Sequence, residues 1–204
     1  MTSPILTLPR EIIWHIMRSC HSLETAFNMV KTCKQMRYEF MSGGGLLVYA
    51  ILSRNLGPSR VAIATARHAA VHAAWKHRPD PDLRPQHNAG EYLHHTMAFC
   101  SKYLSRQGTE LRVPKASFTL AMGLYIEHID AIIINMSKNL AWKVLNPVFQ
   151  EGPVYIMNPS PIELEKMSKA IYILDMALHL FSYKRNNPYY PDASFNIFWS
   201  CFAP

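Results

Sequence analysis

Glu127 and Asp130 are the residues whose types and spacing best suit chemistry. They stand three apart in an otherwise apolar stretch, so a helix would bring both carboxylates onto one face. Burial there would raise their proton affinity toward the range of a general acid or base. The plainer expectation is that both acids face solvent or meet a basic residue. His68 and His72 are spaced i, i+4, which can support a metal, but no third ligand stands nearby, and a solvated helix face explains the pair. His94 and His95 are adjacent and would point apart on a helix. The four cysteines, Cys20, Cys33, Cys100 and Cys201, form no Cys-x-x-Cys pair and are expected to be reduced and buried. Gly43-Gly44-Gly45 lacks the Gly-Lys-Ser/Thr ending of a phosphate loop, and no nucleophile elbow is present. The expectation is therefore a protein with no catalytic residues, no metal and no cofactor.

The elements that would position these residues read as helices throughout. Pro9 suits the first helical position and Glu11 the first turn. Ile12, Ile13, Ile16, Met17 and Cys20 then form one broad apolar face. Ser22 is a good N-cap for a second helix along which Leu23, Ala26, Phe27 and Val30 recur. A third short helix from about Cys33 to Met41 would bury Met36 and Phe40, and the glycine run would end it. Leu46 to Leu56 reads as a further helix stopped by Gly57-Pro58. Ser59 would cap an alanine-rich core helix reaching about His77. A proline-spaced loop from Arg78 to Pro85 precedes a helix from Ala89 to Leu104, with Tyr92, Thr96, Phe99 and Tyr103 on one side.

Ser117 to Leu145 is long and apolar, as one buried helix or two joined near Gly123. Asn146-Pro147 and Gly152-Pro153 bracket a loop. Ser160-Pro161-Ile162-Glu163 is a capping-box start for a helix to about Lys184. Its expected apolar stripe is Leu164, Met167, Ile171, Leu174, Leu178 and Phe181. Phe195 to Phe202 stays apolar to the end and reads either as a docked final helix or as a chain cut short. Nothing sustains a period of two, so the fold class is all-α.

The order of residues over the first forty positions carries a resemblance. Leu8-Pro9-Arg10-Glu11-Ile12-Ile13, the apolar helix, Ser22-Leu23-Glu24, and then Thr32-Cys33-Lys34-Gln35-Met36-Arg37 together resemble the F-box, with a looser similarity of Tyr49 to Arg54 to fungal F-box-like proteins. The resemblance implies a three-helix module at 1–45, followed by a helical carboxyl-terminal domain at 46–204. It implies a non-catalytic substrate receptor of an SCF-type ubiquitin ligase. Leu8, Pro9, Ile12, Ile16, Cys33 and Lys34 would bind a Skp-type adaptor, and through it a cullin scaffold, while the remainder would meet an unknown protein substrate. The sequence departs from the family pattern at Cys20-His21-Ser22, where a Leu-Pro turn is common, and at Thr32 and Met36, where valine and an aromatic are common. A flexible methionine fills an aromatic's hole, so these departures bear on adaptor affinity more than on the fold. A module of this size buries too little surface to stand alone and should lean on a partner or on the rest of the chain.

Composition sets the remaining bounds. With 49% hydrophobic and 17% charged residues, the 204-residue chain belongs with globular proteins. Apolar runs stop well short of a membrane span, and Pro4, Pro9, Arg10 and Glu11 interrupt any signal peptide, so a cytoplasmic or nuclear location is expected. The net charge of +7 lies in the front: residues 1–115 hold 15 Lys and Arg against 7 Asp and Glu, and residues 116–204 hold 6 against 7. An acidic adaptor would suit that asymmetry. The alternative is a basic all-α nucleic-acid-binding protein, but Arg54, Arg60, Arg67 and Lys76 are scattered as on a solvated face, so nucleic acid is the lesser expectation.

Overall fold

The computed structural model describes residues 8–72, 85–104, 110–145, 158–181 and 192–202. The readings that fall on 73–84, 146–157 and 182–191, two loops and two helix ends among them, lie outside the described residues, as does the Tyr92 side chain. The described chain is all-α, with no strand among its residues. Its helices are α1 (Arg10–Ser19), α2 (Leu23–Thr32), α3 (Lys34–Leu56), α4 (Pro58–His72), α5 (Pro85–Tyr103), α6 (Leu120–Leu145), α7 (Pro161–Phe181) and α8 (Asp192–Ser200), with a 3-10 turn at Lys115–Ser117 before α6.

Local chemistry sets several helix ends. The Ser22 hydroxyl accepts the Thr25 N–H at 3.1 Å and so caps α2. Ser160 and Glu163 exchange hydrogen bonds, Glu163 Oε2 accepting the Ser160 N–H at 2.7 Å and Ser160 Oγ the Glu163 N–H at 3.3 Å, a complete capping box. Gly57 ends α3 with φ +83, a conformation costly to any residue with a Cβ. Pro58 then opens α4 directly, and the Gly57 carbonyl accepts the Val61 N–H, so the expected Ser59 cap is not used.

The glycine run breaks the third helix, as the sequence suggests: Gly43 has a non-helical φ of −156 and ψ of 22. A second helical limb then runs to Leu56, and the two limbs joined at this kink make up α3. Close packing explains why glycine stands here. A Cβ on Gly45 would lie 2.2 Å from the Ala116 carbonyl oxygen, and one on Gly43 would lie 2.4 Å from the Trp14 ring. Gly43 and Gly45 are thus seats for neighbouring elements.

The helices pack in a chain of layers. α1 and α2 lie on α3; α3 lies on α4 and α6; α7 packs against both α4 and α6; α5 pairs with α8 and touches α4. One buried cluster links Ile13 and Met17 of α1, Leu47 and Ile51 of α3, Ile126 of α6, Tyr172 of α7 and Phe198 of α8. α4 is buried from Val61 to Arg67 and at Ala69 and Ala70, as its small residues suggest. α6 is a single helix, with Gly123 letting Leu23 and Val48 approach it; a Cβ there would stand 2.6 Å from each. α7 differs from the expected stripe. It buries Ser168, Tyr172, Ile173, Met176, Ala177, Leu180 and Phe181, whereas Leu174 and Leu178 are exposed. Because two helices flank α7, the buried arc is wider than one leucine row and turned away from it. No helix among the described residues is long and apolar enough to cross a membrane.

Candidate functional site

The surface built by α1 and the start of α3 is where the sequence signal concentrates. Pro9 precedes the helix with φ −55 and ψ 147, so it is the N-cap and not the first helical residue. Its carbonyl accepts the N–H groups of Ile12 (3.1 Å) and Ile13 (3.2 Å), and its ring is exposed. Leu8 is half-buried against the core.

The apolar face of α1 divides along its length. Ile13, Met17 and Cys20 point into the core, the first two completely buried. Ile12, 46% exposed, and Ile16, half-buried, form an outer edge one turn apart. At the α2–α3 junction Cys33 is extended, half-buried on the core, and its carbonyl accepts the Arg37 N–H at 3.0 Å. The third helix therefore starts at Lys34, whose side chain is exposed.

Residues the sequence did not single out hold this surface in place. The Glu39 side chain is buried; it pairs with Arg10 Nε at 2.7 Å and accepts the Trp14 indole N–H at 3.3 Å. Arg10 also donates to the Ser42 hydroxyl at 2.9 Å. Arg54 donates to the carbonyls of Arg18 and Cys20, satisfying the open end of α1, and Asn55 donates to the His21 carbonyl at 2.8 Å. These pairs join positions 25 to 36 residues apart, and no spacing rule connects them. A cleft of about 410 Å³ beside α1 is lined by Trp14, Arg18, Leu46, Tyr49, Ala50 and Ser53, together with Lys115.

The downstream candidates do not converge. Glu127 accepts the Leu23 N–H, whereas Asp130 accepts the Tyr172 hydroxyl at 2.9 Å and faces Arg60 at 3.6 Å. Burial is the main cause that raises both carboxyl pKa values; the Leu23 N–H opposes it at Glu127, and Arg60 at Asp130. His68 and His72 stack at 4.7 Å and both abut Tyr125. Burial, then His72 and Arg67, lowers the His68 pKa. Among the described residues no group of three side chains could hold a metal.

Three arginines expected on a solvated face have partners inside the fold. Arg54 meets the α1 carbonyls, Arg60 meets Asp130, and buried Arg67 pairs with Asp175 at 2.6 Å and donates to Tyr125.

Compared with known proteins, the chain matches no family model, no curated protein and no solved structure.

Proposed function

We propose that the chain is a non-catalytic receptor subunit of a cullin-type ubiquitin ligase, in which the α1–α3 end seats a Skp-type adaptor and the remaining helices present an unidentified protein substrate. Two things support this reading: the F-box-like order of residues from Leu8 to Arg37, and the division of α1 into two apolar edges. The second carries it. Ile12, Ile16 and the Pro9 ring are not needed by the chain's own core, which Ile13 and Met17 already fill. Lys34 adds an exposed cation at the start of the third helix. Burying each large aliphatic in a partner would contribute roughly 1.5–3 kcal/mol, enough for a few anchors to form the centre of an interface. Ligase chemistry would belong to the partners, and the receptor would act by holding the target near them.

The test is capture of the chain by a purified Skp-type adaptor. Ile12→Asp and the Leu8→Ala/Pro9→Ala pair should each weaken capture at least tenfold with helical content unchanged. Capture by those variants at the wild-type level, or none by the wild type, would overturn the assignment.

A further inference from the structure

Trp14 and Arg18 stand one turn apart on α1, on the edge opposite Ile12 and Ile16, since two residues turn an α-helix by roughly 200°. Trp14 is fixed in place. Its indole N–H donates to Glu39 at 3.3 Å, and its ring lies 2.4 Å from where a Cβ on Gly43 would stand. Across the cleft of about 410 Å³, Leu46, Tyr49 and Ala50 of the second limb of α3 supply an apolar wall. Tyr49 is held edge-on by buried Phe118, with ring centres 5.4 Å apart.

Two cations line this space. The Arg18 carbonyl is anchored by Arg54, and the Arg18 side chain is exposed. The Lys115 ammonium lies over the Tyr49 ring, 4.9 Å from its centre, which orients the charge without cancelling it. Among the described residues no carboxylate pairs with either cation. A second cleft of about 490 Å³ shares Trp14 and Arg18 with the first and adds Arg10, Glu11 and His15.

We propose that the cleft between α1 and the second limb of α3 binds an acidic peptide segment of a partner protein. An aromatic side chain of that segment enters between Trp14 and Tyr49, and its flanking carboxylates pair with Arg18 and Lys115. The chemistry selects this guest. Fixed aromatic walls accept a planar apolar side chain, and a lining with two cations and no acid favours negative charge beside it. A nucleic-acid strand fits less well, because its affinity grows with the number of phosphates neutralised. Of the cations lining the two clefts, Arg10 is already paired with Glu39, and Glu11 would repel a phosphate. The peptide and an adaptor on Ile12 and Ile16 would occupy different edges of α1.

The experiment titrates the full chain, alone, into a fluorescently labelled and capped pentapeptide with phenylalanine between two pairs of glutamates, read by anisotropy. Saturable binding is expected below about 1 mM and should weaken as salt rises. Replacing the peptide's phenylalanine with alanine should cost about tenfold or more. Replacing its glutamates with glutamines should cost about as much. Arg18→Gln and Lys115→Gln should each weaken binding about threefold, and together about tenfold, with helical content unchanged. Lys143→Gln, which removes an exposed charge in the last turn of α6, should leave binding as in wild type. Equal weakening by Lys143→Gln would reduce the effect to net charge and overturn the proposal. So would no binding to the wild-type chain up to about 1 mM peptide, indifference to the phenylalanine, or displacement of the peptide by an equal concentration of a short oligothymidylate. No adaptor is present in this assay, so its failure and the failure of adaptor capture are separate results.

Discussion

Glu127 of α6 accepts the backbone N–H of Leu23 through both carboxylate oxygens, at 3.3 Å each, across 104 residues of sequence. That N–H is one of the open donors at the start of α2, and a negative charge there is favoured by the helix dipole. Ser22 caps the helix locally and Glu127 caps it from a distance. Replacing Glu127 with alanine should cost about 1–2 kcal/mol in urea unfolding. Glu127→Gln keeps an acceptor and should cost less.

The same carboxylate gives a pH dependence with a definite sign. The folded-state pKa values of Glu127 and Asp130 are raised above the ordinary 4.5 and 3.8. Their contribution to stability is therefore complete below those ordinary values and is lost as pH rises through the folded ones. Glu127→Gln should gain stability relative to wild type as pH rises through that window. His68 acts oppositely: its pKa is lowered from 6.5, so its contribution is present above that value and is lost as pH falls through the folded one. His68→Gln should reduce the loss of stability on mild acidification. Unfolding curves across pH for the two variants separate these effects.

Glycine size is decisive at Gly45. An added Cβ would stand 2.2 Å from the Ala116 oxygen and 2.9 Å from that of Phe118, and both are backbone atoms that cannot swing away. Gly45→Ala should lower stability by about 1–3 kcal/mol, as overpacking does. At Gly57 the space is open but φ is +83, so Gly57→Ala should cost roughly 1–2 kcal/mol from backbone conformation alone. Thermal unfolding checks both.

Neighbouring isoleucines should behave differently. Ile13→Ala opens a hole in the core and should cost about 2–5 kcal/mol. Ile12→Ala, on the outer edge, should stay within about 0.5 kcal/mol. Under the proposed function, Ile12→Ala, nearly silent in folding, registers instead as a loss of adaptor capture.

What was legible in the sequence was what neighbours in the chain decide. Ser22, Gly57 and the Ser160–Glu163 box act within a few residues, so their roles follow from side-chain chemistry alone. The all-α class follows from periodicity in the same way. The glycine run and the stripe of α7 depend on what packs against them. Gly45 is glycine because the segment before α6 comes too close for a Cβ, and Leu174 faces out because α4 and α6 occupy the other sides of its helix. The types of the candidate-site residues were readable, but which half of the α1 face turned inward was not. That choice is made by α3, through Arg10–Glu39, Trp14–Glu39 and Arg54, partners too remote in sequence for a pattern to reveal.

The bend of α3 at Gly43 has a mechanical meaning. α1 runs along both limbs, with Arg10 and Trp14 held by Glu39 before the bend and the Arg18 carbonyl held by Arg54 after it. Three glycines between two bodies would ordinarily act as a swivel. Here α1 spans the bend, so its contacts tie the two limbs of α3 together.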